Sequence, residues 1–317
     1  MDAPSLAVPG SIEAVAAGLA RSGYICDRRS ATAIYLAYHL RKPVLVEGPA
    51  GVGKTELAKA TAAYLDLPLI RLQCYDGLDE SKALYEWKYG KQLLYTQILK
   101  DKFTQSLRSS ATLQEALSEL QSVGDIFFSE QFLEARPLLR ALQQERGAVL
   151  LIDEVDKADQ EFEAFLLEVL SDYQVTIPEI GPVAAVVPPL AILTSNNTRD
   201  LGEALKRRCL HLRIDYPDAK LEEQIIDVRV PGIEGTLREH LVGFVQRLRR
   251  LELKKPPSVS ETIDWARALL LLNVVELEPE MVRQTLNLLL KYEIDIEAAG
   301  RQLPALLASP HRNGPAT

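Results

Sequence analysis

Cysteine is scarce in this 317-residue sequence. Cys26, Cys74 and Cys209 are odd in number, far apart, and show no C-x-x-C spacing. That argues against a disulfide framework or a thiolate zinc site and points to a reducing, cytoplasmic compartment. Histidine is equally sparse, with 4 residues, and forms no ligand cluster with the cysteines. No apolar run approaches the roughly 20 residues that cross a bilayer, and the N-terminus lacks the charged-then-apolar order of a secretory signal. A basic surplus is missing too. Lys and Arg number 36 against 44 Asp and Glu, for a net charge of −8. That disfavours nucleic acid as an obligatory partner, which usually demands a basic face. No internal repeat is visible. At 47% apolar and 25% charged, the chain has ordinary globular composition and enough length for two domains.

Against this plain background one stretch stands out, VLVEGPAGVGKT from Val44 to Thr55. Four residues of strand character run into Gly48, and Gly48, Gly51, Gly53, Lys54 and Thr55 spell G-x-x-x-x-G-K-[ST]. ELAKATAAYL follows with helical composition, which supplies the strand-before, helix-after context that the phosphate loop requires. Glycines let successive backbone N–H groups turn onto phosphate oxygens, and the helix adds the positive end of its dipole. Gly48, Pro49, Ala50, Gly51, Val52, Gly53, Lys54, Thr55 and Glu56 are therefore the expected triphosphate-binding residues. Lys54 should reach the β- and γ-phosphates, and the Thr55 hydroxyl should hold Mg²⁺.

A second motif, AVLLIDEVDKAD, carries the acidic half of such a site. The continuous apolar run Ala148 to Ile152 reads as a parallel strand buried on both faces. It ends in Asp153 and Glu154, at the edge where open α/β sheets bind ligands. Asp153 is expected to hold Mg²⁺, directly or through water, and Glu154 to act as general base on the attacking water. Downstream, the strand Leu190 to Thr194 ends in Ser195, Asn196 and Asn197. An amide there could orient the water, or either Asn could simply make an Asx-turn. LKRRCLHLRIDYP then supplies Arg207 and Arg208 ahead of a last strand, His211 to Asp215.

The remaining pattern fills in the organisation. Helices are expected from Ser11 to Gly23 and from Arg28 to Leu40, with a strand at Pro68 to Cys74. In ALYEWKYGKQLLY, Ala83 to Tyr95, alternating aromatics around Gly90 predict a β-hairpin. It could grip a partner or pack its aromatic face on the domain. Lys100 to Val123 reads as a polar helical excursion, and Glu130 to Glu145 as a helix interrupted at Arg136-Pro137. Phe162 to Tyr173 is amphipathic. Gln174 to Val187 predicts a second hairpin around Ile180-Gly181-Pro182. From Asp218 onward strands vanish, with helices near 219–228, 237–251, 261–273 and 279–292. The predicted division is a loose N-terminus (1–10), an α/β nucleotide-binding domain (11–217), a small all-α domain (218–300) and a loose tail (301–317).

Together these features resemble AAA+ ATPases: an α/β P-loop core with a parallel sheet flanked by helices, hairpin insertions and an all-α lid. One hairpin falls before the Asp-Glu strand, as in the helix-2-insert group, and one before the Asn strand, as in the pre-sensor group. LYEWKYGKQLL, LTSNNTRDLGEALKRRCLHL and KKPPSVSETIDWARAL are similar to the MoxR branch associated with carbon monoxide dehydrogenase maturation. The resemblance covers roughly Ile12 to Ala298. It implies Gly48 to Thr55 as Walker A and Asp153-Glu154 as Walker B. Asn197 is the better match to sensor 1, with Asn196 adjacent and possible, and Arg208 matches the finger entering a neighbour's site. Tyr24 and Ile25, beside Gly23, would lie over the adenine, or form an ordinary interhelix turn.

The resemblance further implies ATP and Mg²⁺ as cofactors, a homo-oligomeric ring (usually a hexamer), a von Willebrand factor A domain partner, and chaperone-like remodelling of a metalloenzyme or other complex. Two rivals stand beside it: a nucleic-acid-dependent or restriction-type ATPase, and a slow ATP-binding docking switch. One departure is plain. The helical domain should offer a sensor-2 arginine, and Pro257 to Glu261 contains no basic residue.

Overall fold

A computed structural model describes residues 8–109 and 127–308. Two helices come first: α1 (Ile12–Arg21), whose Ser11 hydroxyl caps the Ala14 N–H at 3.1 Å, and α2 (Arg28–Leu40). The glycine loop separates β1 (Val44–Glu47) from α3 (Lys54–Leu65). There follow β2 (Leu69–Gln73), α4 (Glu80–Ala83), β3 (Tyr85–Trp87) and α5 (Tyr89–Ser109). Next are β4 (Leu133–Ala135), α6 (Pro137–Leu142), β5 (Val149–Asp153) and α7 (Gln160–Asp172). The hairpin β6 (Gln174–Ile177) and β7 (Gly181–Ala184) leads to β8 (Leu190–Ser195), α8 (Glu203–Arg208) and β9 (Leu210–Arg213). Among the described residues only helices remain: α9 (Ala219–Arg229), α10 (Gly235–Leu248), α11 (Val259–Leu271), α12 (Pro279–Leu289), α13 (Glu293–Arg301) and α14 (Leu303–Leu307).

Five strands form one sheet in the order β2-β5-β8-β1-β9. β5 runs parallel to β2, from Leu69↔Val149 to Gln73↔Asp153, and parallel to β8, from Val149↔Leu190 to Ile152↔Leu193. At the other edge Leu210 N–H donates to Pro43 O and Ile214 N–H to Glu47 O, both at 2.8 Å, so β9 follows β1 in the same direction. Every residue of β5 and β8 is buried. That explains their unalternated apolar sequence, since a strand covered on both faces has no side to leave polar. The fold is the α/β, helix-flanked parallel sheet expected of a P-loop core.

The chain packs as two compact units. One comprises the described residues up to Leu36, then Val46–Asp66, then those from His211 onward; the other comprises Ala37–Leu45 and the described part of Leu67–Leu210. Within the first, the late helices share a core centred on Trp265, Phe244, Leu241 and Leu286. Trp265 Nε1 donates to Thr285 Oγ1 at 2.9 Å, and the fully buried Glu222 receives both guanidinium nitrogens of Arg249 at 2.7 Å. Within the second, β2, β5 and β8 are packed by Leu138, Leu139, Phe162, Leu166 and Leu170.

Several local expectations change. Tyr85–Trp87 is a strand, but its partner is not the Lys91–Tyr95 segment. It pairs antiparallel with Leu133–Ala135, Tyr85 opposite Ala135 and Trp87 opposite Leu133, while Tyr89–Ser109 is helical. Alternating aromatics mark a strand without saying which partner it finds, and Lys91 to Tyr95 has no turn chemistry that forces a return. For the same reason the first half of Glu130–Glu145 is a 3-10 turn and a strand, and only Pro137–Leu142 is helix, with Pro137 in its first turn. The second hairpin forms as expected, its turn shifted to Pro178–Ile180, with Gly181 at φ +99°. The segment after Arg301 is not loose as far as Ala308. Leu303 and Leu306 of α14 are buried in the helical core. The helical expectation for 110–123 lies outside the described residues, as do 1–7 and 309–317.

Candidate nucleotide site

The glycine loop needs its glycines. Gly51 sits at φ +75° and Gly53 at φ +100°, backbone conformations that side chains resist. A Cβ on Gly51 would lie 2.5 Å from Ser258 Oγ, and one on Gly48 would lie 1.9 Å from Ile214 O. Lys54 opens α3 and is buried; its Nζ donates to Gly48 O and Pro49 O, both at 2.7 Å. The ammonium thus spans the loop it serves. Thr55 is the next helical residue, so its hydroxyl sits in the first turn with the loop's amides.

The same compact unit brings the start of α11 onto the loop. Ser258 caps this helix in a reciprocal box with Glu261, Ser258 N–H donating to Glu261 Oε2 at 2.7 Å. Ser260 N–H donates to Gly51 O at 3.2 Å and its hydroxyl at 3.3 Å. Hydroxyls and an amide therefore stand where the resemblance placed an arginine. A cavity of about 230 Å³ opens beside them, lined by Tyr24, Ile25, Gly51 to Gly53 and Glu56, and by Ile225, Arg229, Ile263, Asp264 and Arg267 from α9 and α11. Burial, with the nearby Cys26, Asp27 and Glu56 charges, raises the Tyr24 phenol far above its ordinary value, so it stays a neutral donor. Arg229 pairs with Glu56 at 3.3 Å, and Arg267 with Asp264 at 3.5 Å. Sequence reading missed both arginines. They lie late in their helices, and their only signal was being basic in otherwise amphipathic stretches.

The acidic strand end lies in the other unit. Asp153, 3% exposed, receives the Thr194 hydroxyl at 2.5 Å on one oxygen and Arg71 at 2.6 Å on the other. Glu154 turns the chain out of the sheet at φ +57° and ψ +49°, a left-handed conformation costing about 1 kcal/mol for a non-glycine residue. Its N–H donates to Thr194 Oγ1 at 2.9 Å. Three donors hold its carboxylate: Gln73 Nε2 at 2.9 Å, Lys157 Nζ at 2.7 Å and Asn196 Nδ2 at 3.1 Å.

Of the two neighbouring amides, then, Asn196 reaches Glu154. Asn197 is left-handed at φ +57°; its N–H donates to Ser195 Oγ at 3.0 Å and its side-chain oxygen accepts from that hydroxyl at 3.4 Å. It forms the local turn, and the preference for Asn197 as the amide at the acidic site is corrected accordingly. Asp156 fastens this corner. Its Oδ2 accepts Asn196 N–H at 3.2 Å, Thr198 N–H at 2.9 Å and the Thr198 hydroxyl at 2.6 Å. Burial opposes its ionisation, yet these donors keep its carboxyl below the usual range. Arg208, at the exposed end of α8, donates to the Ser171 hydroxyl, and Arg207 beside it is exposed.

Taken unit by unit, the donors suit the parts of a magnesium nucleotide: the glycine-loop amides and lysine suit phosphates, and the Thr55 hydroxyl in one unit and the Asp153 carboxylate in the other are each of the oxygen type a hard cation takes. Among the described residues no cluster of three or more His, Cys, Asp or Glu offers another metal site, and no helix is long and apolar enough to cross a membrane.

A glycine loop on β1, an Asp-Glu pair ending β5 and an amide after β8 define a P-loop ATPase-type α/β protein. Residues 43–209 match the AAA domain (dynein-related subfamily) model, and the chain belongs to that family. Two relatives, both named only as uncharacterized proteins, come from Staphylococcus epidermidis and Staphylococcus aureus. They are 27% and 28% identical over 240 residues, spanning 74% of this chain and 77% of theirs. Among solved structures, the RuvB Holliday junction branch migration motor of Thermotoga maritima aligns at 18% identity and TM-score 0.45, over 82% of this chain and 67% of that one. A proline-to-glycine point mutant of the same motor aligns at 18% and 0.47, over 91% and 77%.

Proposed function

We propose that this protein is a Mg²⁺-dependent ATPase acting as a ring of identical subunits that remodels a protein client, in the manner of MoxR-type proteins. The observation that carries the catalytic part is the loop itself, with Gly51 and Gly53 at positive φ, Lys54 buried across it and a helix starting behind it. The family match supports it by spanning both the loop and the acidic strand.

Bound Mg²⁺ would offset phosphate charge and polarise the bond to be cut. The chain's own residues do the rest. Loop amides and Lys54 bind the phosphates, and Thr55 and Asp153 hold the cation. Glu154, aimed by Gln73 and Asn196, takes a proton from the attacking water on its carboxylate. Tyr24 and Ile25 bound the cavity beside the loop and would take the base. With Ser258 and Ser260 on Gly51, Arg229 and Arg267, the two cations among the cavity's lining residues, would supply the positive charge that sensor 2 usually brings. Arg208, exposed at the end of its helix, would serve a neighbouring copy's site. The metalloenzyme client and the von Willebrand factor A domain partner rest on the resemblance of LYEWKYGKQLL and KKPPSVSETIDWARAL to the MoxR branch.

Phosphate release from Mg-ATP by the purified chain is the test. Wild type should turn over and Glu154→Gln should keep ATP bound while release falls about 10²-fold or more. Full turnover by Glu154→Gln would remove the carboxylate from the chemistry.

A further inference from the structure

The second compact unit holds a groove of about 860 Å³ that plays no part in the nucleotide chemistry. It lies between the α4–β3 segment and the β6–β7 hairpin. Its apolar wall is Leu84, Trp87, Phe165 and Val175, with Tyr85 and Tyr89 at the side. Its charge is of one sign. Asp79, Glu80, Glu86, Glu168 and Glu179 line it, and no lysine or arginine does. Asp79 and Glu86 are neutralised from outside by Lys82 and Arg136. Glu80, Glu168 and Glu179 form no ion pair among the described residues, and all three are exposed.

The groove also carries a strand edge with no partner strand among the described residues. Lys88 N–H donates to Phe132 O and Arg136 N–H to Leu84 O, so even-numbered residues face β4. Tyr85 and Trp87 therefore turn their N–H and C=O groups to the opposite edge of β3. Both residues line the groove. On the hairpin, Val175 pairs with Val183 while Thr176 lies opposite Pro182, whose nitrogen carries no hydrogen, so the Thr176 backbone is likewise turned outward.

We infer that this groove binds an extended, lysine- or arginine-bearing segment of a partner protein. Unpaired edge groups accept an added strand. Alternate side chains of that strand would lay aliphatic stems on Trp87 and Phe165 and bring cationic heads to Glu80, Glu168 and Glu179. Aromatic faces beside carboxylates favour such cations further. Binding here does not require ATP hydrolysis, so it can fail or succeed apart from the proposed catalysis.

The test uses the whole chain without nucleotide and a fluorescent twelve-residue peptide alternating Lys with Val, against the same peptide with Glu for Lys. Anisotropy should show the Lys peptide binding and the Glu peptide not binding. Glu168→Lys/Glu179→Lys should weaken the Lys peptide about tenfold or more, with phosphate release unchanged because neither residue belongs to the nucleotide site. Glu252→Lys/Glu276→Lys changes net charge equally outside the groove and should leave affinity at the wild-type value. Equal weakening by both pairs would reduce the effect to net charge and overturn the proposal. Absence of Lys-peptide binding would also overturn it, as would a shift in sedimentation mass caused by the groove pair alone, which would make the groove a contact between copies.

Discussion

The glycine-loop unit and the acidic unit build their candidate functional groups in opposite ways. In the first, the groups proposed to bind phosphate are backbone amides and one lysine from eight consecutive residues, locked by φ values and by Lys54 reaching back to its own loop. In the second, the arrangement around Glu154 is made of side chains carried by three strands: Gln73 closing β2, Asp153 closing β5, Thr194 within β8 and Asn196 just after it. A set made by local backbone is all or nothing. A set made by converging side chains can lose its members one at a time. Damage to the first should therefore abolish binding, and damage to the second should grade turnover.

The largest effect is expected from Lys54→Ala. It leaves a buried space at the head of α3 and removes the only lysine on the loop, so ATP affinity measured by calorimetry should fall by more than about 10³-fold. Retained affinity would break the comparison at its strongest point. Next comes Arg208→Ala, for which binding should persist while phosphate release drops about 10³-fold. Mixing Arg208→Ala with Glu154→Gln sharpens the point. If one copy's arginine completes another's site, random mixing restores about a quarter of the seams, and activity should reappear from two inactive proteins. No recovery on mixing would confine Arg208 to its own subunit.

The same contrast explains what the sequence revealed. Val44 to Thr55 was legible because spacing along the chain is the geometry there. The buried β5 and β8 were legible as unalternated apolar runs ending in Asp153 and Asn196. The pairing of Tyr85–Trp87 with Leu133–Ala135 was not, because 45 or more residues of insertion separate strands of three residues each, too short to advertise a partner. Choosing between Asn196 and Asn197 needed the backbone: a single left-handed residue turns one amide toward Glu154 and the other back on Ser195. Arg229 and Arg267 become visible only when α9 and α11 bring them to one cavity with Gly51.

That choice gives the next prediction. Asn196→Ala should lower turnover about 10- to 100-fold with ATP affinity kept, since it frees one side of the Glu154 carboxylate. Asn197→Gly, which removes the amide and suits φ +57°, should stay within about threefold of wild type. The reverse ranking would show that the amide at Glu154 in this structure is not the one that matters during hydrolysis.

The smallest effect is expected at Asp156, which has no part in the proposed chemistry and fastens the β8 corner. Asp156→Asn weakens charge-assisted hydrogen bonds from Thr198 and Asn196, a loss of about 1 to 2 kcal/mol at pH 7 by chemical denaturation. Its pH dependence carries the argument. A carboxyl whose folded value lies below its unfolded one contributes fully above about pH 4 and loses that contribution as pH falls through the folded value. The wild type and Asp156→Asn should therefore differ at neutral pH and converge below about pH 4. A gap that stays constant through that range would mean Asp156 acts by shape alone, and the acidic strand end would then depend on packing as much as the glycine loop does.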